Sequence, residues 1–178
     1  IGDIELLARS MRNAAYVGVT GTNGKSTTTA LIGHILSVSG RPTEIGGNIG
    51  TPALSLAALD EDGIYVLEMS SYQLDLTRSI TFDIAVLLNI SADHLDRHGG
   101  MDGYIAAKKT IFRRQTRPRT AVIGVDDEIT RTIYKELKAA GDQVIIPVSC
   151  LGPVTGGVYV DGGILYDDTG ADTNRGDP

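Results

Sequence analysis

Apolar residues along this chain fall into short blocks separated by polar, glycine-rich breaks, and the spacing inside each block predicts its element. Tyr16–Thr20, Ile64–Glu68, Phe82–Leu88, Thr120–Val125 and Gln143–Val148 are short apolar runs, the pattern of strands buried on both faces of a parallel sheet. Between them the periodicity lengthens. Ser26–Ser39 carries Leu31, Ile32, Ile35 and Leu36 at helical spacing and stops at Gly40; Met101–Arg114 and Asp127–Ala140 are also helical, the latter ending at Gly141. Ile4–Arg12 is a short amphipathic helix ahead of the first strand. After the loop Gly46-Gly47-Asn48-Ile49-Gly50, Pro52 is placed to start a helix through Leu59. Strands alternating with helices predict an α/β domain: a three-layer, mostly parallel sheet with right-handed crossovers. Beyond Pro153 the period becomes two, and Val158 to Tyr166 predicts a hairpin around Asp161-Gly162. The expected organisation is an α/β core over 1–152 with a hairpin and polar tail over 153–178 in the same domain. A first residue Ile1 and a polar tail from Thr169 to Pro178 with no closing element lead us to expect a piece of a longer protein.

Composition narrows the function classes. Apolar residues make up 42% of the chain, and both charge signs are well represented, as in a globular domain. A net charge of −6, from 16 basic and 22 acidic residues, disfavours a nonspecific nucleic-acid surface. Only Arg113-Arg114 to Arg119 concentrates basic residues, and a solvated helix end is expected there. The lone Cys150 excludes an intramolecular disulfide and fits a reducing compartment, while neither a signal peptide nor an apolar stretch of membrane-spanning length is visible. A cytoplasmic monomer acting on small molecules, without nucleic-acid or membrane partners, is the expectation.

The chemistry begins at Val17-Gly18-Val19-Thr20-Gly21-Thr22-Asn23-Gly24-Lys25-Ser26-Thr27, where a strand turns through glycines into Gly-Lys-Ser and then a helix. Glycines let backbone N–H groups converge on phosphate oxygens, Lys25 adds a point charge, and Ser26 can place its hydroxyl on Mg²⁺ at a helix N-terminus. The usual motif has a glycine five residues before Gly24; this chain has Val19, so the loop is Gly-x-x-Gly-Lys-Ser. The plainer alternative, a glycine-rich turn with a surface lysine, leaves the coincidence of Lys, Ser, strand and helix unexplained. Glu68 ends an apolar strand, where a carboxylate beside bound phosphates can hold Mg²⁺. The run Leu88-Asn89-Ile90-Ser91-Ala92-Asp93-His94-Leu95-Asp96-Arg97-His98 follows another strand and holds two of the three histidines, so His94 or His98 is a candidate for a divalent ion. Tyr104 and Lys108, at i and i+4, share a helix face; periodicity leaves open whether Lys108 and Lys109 are both simply solvated.

Taken in order, Gly21-Thr-Asn-Gly-Lys-Ser-Thr27, Gly46-Gly-Asn-Ile-Gly50, Leu67-Glu-Met-Ser-Ser-Tyr-Gln-Leu74, Leu88 to Gly99 and Tyr104-Ile-Ala-Ala-Lys108 resemble the Mur ligase family of peptidoglycan synthesis. The resemblance covers nearly the whole chain as that family's central ATP-binding domain. It implies that ATP phosphorylates the carboxylate of UDP-N-acetylmuramoyl-L-alanine and that the amine of D-glutamate attacks the acyl phosphate. Ser70-Ser-Tyr-Gln-Leu74 favours D-glutamate-adding members over those adding L-alanine, a diamino acid or a dipeptide. By the same resemblance the nucleotide-binding set is Gly21, Thr22, Asn23, Gly24, Lys25, Ser26 and Thr27, and Ser26 with Glu68 binds a first Mg²⁺. His94 joins a second Mg²⁺ together with Lys108, which captures CO₂ as a carbamate; Lys25, His94 and Lys108 are the implied catalytic residues. Asn48 is implied to contact the muramoyl substrate, with Ser70 and Gln73 lining the same cleft. The family's N-terminal and C-terminal domains are absent from this chain, so it is expected to bind nucleotide without ligating. The alternatives are another ligase of this type, such as folylpolyglutamate synthase, or a nucleotide-binding switch without ligation.

Overall fold

The computed structural model describes residues 1–170; the end of the expected polar tail, 171–178, lies outside the described residues. In chain order the elements are α1 (Asp3–Ser10), β1 (Ala15–Thr20), α2 (Lys25–Val38), β2 (Thr43–Gly47), β3 (Ile64–Glu68), α3 (Ser71–Leu76), β4 (Ile84–Leu87), α4 (Leu95–His98), α5 (Met101–Lys109), β5 (Thr120–Gly124), α6 (Glu128–Ala140), β6 (Val144–Ser149), β7 (Val158–Asp161) and β8 (Ile164–Asp167). They build one eight-stranded sheet in the order β2-β3-β1-β4-β5-β6-β7-β8, parallel throughout except for the last pair. From β1 the chain crosses to β2 on one side, and β4 takes it to the other. Such a reversal leaves a crevice at the carboxyl ends of β1 and β4.

Strand alternation sorts side chains to two faces. Tyr16, Tyr65, Leu67, Ala85, Leu87, Ala121 and Ile123 enter the larger core, which also takes Ile4 and Leu7 of α1, Leu74 of α3, Tyr104 of α5 and Ile133 of α6. Val17, Val19, Val66 and Val86 face the other way, against Ile32 and Leu36 of α2. Among the described residues one helix, α2, packs on that second face, contacting β1, β2 and β3. Over β4, β5 and β6 it stays open, an apolar cavity of about 980 Å³ whose rim reaches Asn23, Gly24 and Asn89. At β1 the backbone runs so close to Phe82 that a Cβ on Gly18 would lie 2.6 Å from its ring.

Helix ends are set by local chemistry. The Asp127 carboxylate accepts from Thr130 N at 2.8 Å to start α6, and Gly141, at φ 71°, stops it in the left-handed conformation glycine tolerates. Several boundaries differ from expectation. The helix expected from Pro52 to Leu59 is only a 3₁₀ turn at Ala53–Ser55, because Pro52 and Leu56 are extended. The Tyr65 hydroxyl then takes the backbone partners a helix would have used, donating to Ala57 O at 2.8 Å and accepting from Leu59 N at 3.0 Å. The helix expected to run to Arg114 tightens to 3₁₀ at Thr110–Phe112. Arg113 is not a solvated helix end, since its guanidinium donates to Thr77 O at 2.9 Å, and Arg119 Nε lies 3.4 Å from Asp83 Oδ1. The hairpin forms one residue later than expected, turning through Gly162 and Gly163 at φ 54° and 79°, and β7 extends the sheet by pairing with β6.

Candidate active site

The carboxyl ends of β1, β3 and β4 bring the three polar loops together. Past β1, Gly24 adopts φ 82° as the residue ahead of α2, so the turn into the helix needs a residue without a Cβ. The loop is held open from the β4 side: Thr22 N donates to Asn89 O at 2.9 Å, Asn23 N to Asn89 Oδ1 at 2.9 Å, and Asn89 Nδ2 returns a bond to Asn23 O at 3.1 Å. Ser91 N donates to Thr22 Oγ1 at 3.0 Å, and the Thr22 and Tyr104 hydroxyls lie 3.2 Å apart. Asn89 is therefore a positioning residue that motif reading quoted without assigning a role. Lys25 Nζ donates to Thr22 O at 2.8 Å, folded back along its own loop.

Ser26 and Glu68 meet. The Ser26 hydroxyl donates to Glu68 Oε2 at 2.7 Å, and Asn48 Nδ2 donates to Glu68 Oε1 at 2.9 Å. Asn48 thus faces the candidate metal carboxylate, and its own N–H is fixed on Glu68 O at 2.9 Å. Glu68 is 1% exposed, and both of these partners are neutral. Among the described residues no Lys, Arg or His pairs with it. A buried carboxylate with a hydroxyl and no cation is a hard-oxygen donor set suited to Mg²⁺, with further ligands drawn from phosphate and water. Among the described residues no three His, Cys, Asp or Glu side chains converge, so a metal here depends on such outside ligands.

Lys108 and Lys109 part company. Lys109 pairs with Glu136 at the surface. Lys108 is 1% exposed, its Nζ donating to Gly21 O at 2.8 Å and lying 4.7 Å from the centre of the Tyr104 ring. Burial, reinforced by the Lys25 charge and opposed by Asp93, pulls the Lys108 ammonium down to about 8. The solvated alternative for Lys108 is excluded. His94 follows Asp93, its Nε2 3.5 Å from Asp93 Oδ2, with half its side chain in solvent. Of the two histidines the sequence offered, His98 is the buried one, bonded to Ser71 and packed on Tyr104. Ser70 and Gln73 form a capping box at the start of α3: Gln73 N donates to Ser70 Oγ at 3.2 Å, and Ser70 N to Gln73 Oε1 at 3.1 Å.

Residues 19–152 match the family described as the Mur ligase middle domain. The chain is 53% identical over 176 residues to a UDP-N-acetylmuramoylalanine--D-glutamate ligase of Caulobacter vibrioides, covering 96% of this chain and 37% of that protein. It is 54% identical over 167 residues to the protein of that name from Rhodospirillum rubrum, covering 94% and 35% respectively. The chain therefore spans little more than a third of the length of these relatives. Its fold is also that of the crystal structure of MurF ligase from Thermotoga maritima in complex with ADP, with a TM-score of 0.64 at 23% identity over 91% of this chain and 40% of that one.

Proposed function

The chain belongs to the Mur ligase family, as its middle domain, and from that premise we propose that it is the ATP-binding centre of a ligase joining D-glutamate to UDP-N-acetylmuramoyl-L-alanine. The observation that carries this reading is the convergence of Ser26, Glu68 and Asn48 beside a glycine loop braced by Asn89, with the buried Lys108 amine against the same loop. The N–H groups of the loop from Gly21 to Thr27 receive the β- and γ-phosphates, and Lys25 exchanges its bond to Thr22 O for a phosphate oxygen. Ser26 and Glu68 are the residues that would hold Mg²⁺, and His94 with a carbamylated Lys108 would hold a second. When bound, these ions neutralise charge on the transferring phosphoryl group.

Lys108 is suited to the modification because its environment favours the neutral amine. With the ammonium at about 8, about a tenth is neutral at pH 7. The nitrogen lone pair forms a bond to CO₂, one N–H proton is released to solvent, and the side chain becomes an anion. The substrate carboxylate then displaces ADP from the γ-phosphorus, making an acyl phosphate. The amine of D-glutamate attacks the carbonyl carbon, phosphate departs with the former carboxylate oxygen, the nitrogen gives up one proton to solvent, and an amide remains. Loss of water from the site protects the acyl phosphate from hydrolysis. Contacts to uridine diphosphate and to D-glutamate are assigned to the parts of the full-length protein outside this chain, and the cytoplasm is the compartment that supplies ATP and both substrates.

The test is ligation by the full-length protein with ATP, Mg²⁺, UDP-N-acetylmuramoyl-L-alanine and one amino acid at a time. Amide product with D-glutamate, and ADP in equal amount, is expected. Product with L-alanine or a diamino acid in its place would overturn the assignment within the family; no product with any acceptor would overturn the ligase itself.

A further inference from the structure

The left-handed backbone of His94, at φ 50° and ψ 31°, is one of two non-glycine positive-φ positions among the described residues. Such a conformation is unfavourable for a residue with a Cβ and persists where its surroundings over-determine it. The helix it opens, α4, is a single turn ended by Gly99 at φ 68°, too short to be stable alone. The His94 side chain does little to fix its own position: it is 51% exposed, with Asp93 at 3.5 Å and the edge of Tyr72 at a ring distance of 5.3 Å.

The other end of α4 is fastened firmly. The His98 side chain is 4% exposed; its Nε2 lies 3.0 Å from Ser71 Oγ and its Nδ1 3.6 Å from Asp75 Oδ2, both on α3. Its ring lies 5.7 Å from that of Tyr72 on α3 and 5.6 Å from that of Tyr104 on α5. On α5, a Cβ at Gly103 would fall 1.9 Å from His98 O, so the glycine is what lets the end of α4 settle against that helix. Ser71 also follows Glu68 by only three residues, so the bond from His98 ties the α4 turn to the segment leaving the first candidate metal ligand.

We infer that His98 is a positioning residue: by locking α4 between α3 and α5 it holds His94 in its strained conformation at the second metal position. The metal half of this inference rests on the reading of His94 as a ligand. His98→Phe puts an apolar ring in place of the imidazole, keeps the tilted ring contacts with Tyr72 and Tyr104, and removes the polar links to Ser71 and Asp75 of α3. His98→Gln restores a polar link to Ser71. Ser71→Ala removes the same bond from the other side, with little change in volume, and serves should His98→Phe fail to fold.

The test uses the full-length protein in two measurements. In the ligand-free protein, hydrogen exchange is followed at the amides of Arg97 and Gly100, which donate to His94 O and Leu95 O. Both His98→Phe and Ser71→Ala should accelerate it about tenfold, with the melting temperature nearly unchanged and His98→Gln close to wild type. Unchanged exchange overturns the inference whatever the metal does. Mn²⁺ binding with a nonhydrolysable ATP analogue is then counted by electron paramagnetic resonance in wild type, His98→Phe and His94→Ala. The first site should persist in all three, while the second weakens about tenfold in His98→Phe and vanishes in His94→Ala. A second site lost in His94→Ala but intact in His98→Phe makes His98 a packing residue only, and overturns its positioning role. Two sites in His94→Ala refute the ligand reading itself and the metal half of the inference with it.

Discussion

At the residue scale, two lysines with different surroundings should fail in different ways. Lys25 is the loop's own cation, and Lys25→Ala in this chain should weaken Mg²⁺-ATP binding roughly a hundredfold by calorimetry, the loss of one charged hydrogen bond to phosphate. Lys109→Ala, at a surface pair, should change it little. Lys108→Ala should cripple ligation in the full-length protein by about a hundredfold or more while leaving it folded, and short carboxylic acids should restore part of the rate. Full activity in Lys108→Ala would remove the carbamate from the mechanism. The pH dependence carries a sign. Lys108 is lowered to about 8 from 10.5, so between those values the unfolded chain holds the proton and the folded one does not, and stability should rise with pH across that window. Activity at fixed dissolved CO₂ should rise through about pH 8 for the same reason, and both trends should flatten in Lys108→Met. Helical spacing showed Lys108 only as one of two adjacent lysines, and it was the family resemblance that singled it out. Which of them is buried depends on how α5 meets the phosphate loop, a tertiary fact that helical spacing does not contain.

At the element scale, two side-chain networks brace the fold. The Glu5 carboxylate of α1, 0% exposed, accepts from the N–H groups of Arg78 and Ser79, from the Ser79 hydroxyl and from Arg9. Burial alone would raise Glu5, yet these donors outweigh it and hold the group down at about 2. Its contribution is therefore complete above about pH 4.5 and lost as pH falls toward 2. Glu5→Gln should lower stability by about 2 kcal/mol at neutral pH and flatten the acid limb of a denaturation series. The capping box at Ser70 is the second. Ser70→Ala should lower stability by about 1 kcal/mol through the lost cap, and a KM for the UDP-linked substrate that stays unchanged would assign the residue to the fold rather than to the cleft. Strong apolar blocks made β1, β3, β4, β5, β6 and the long helices legible. The short edge strand β2, Thr43–Gly47, has one large apolar residue and two glycines, too little pattern to predict a strand, and its last two residues fall in the expected Gly46–Gly50 loop; α3, six residues long, lies inside a motif that the eye assigns to chemistry. The Pro52 helix failed because the Tyr65 hydroxyl, thirteen residues away, claims its backbone groups.

At the scale of the whole molecule, this chain carries the phosphate loop, Glu68, His94 and Lys108 on one sheet edge, while its relatives are far longer. It should fold alone and bind Mg²⁺-ATP, gaining about 2.7 kcal/mol of stability at one hundred times the dissociation constant, read as a rise in melting temperature. It should form no amide by itself; product at the full-length rate would place the whole active site in these residues. On the proposed reading, the domain drives amide formation by moving a phosphoryl group onto the substrate carboxylate. The most direct test supplies the full-length protein with UDP-N-acetylmuramoyl-L-alanine labelled with ¹⁸O in that carboxylate, together with ATP and D-glutamate, and examines the released phosphate by ³¹P nuclear magnetic resonance. One ¹⁸O per phosphate is the predicted result, because the carboxylate oxygen leaves with phosphorus; amide and ADP formed with unlabelled phosphate would contradict it.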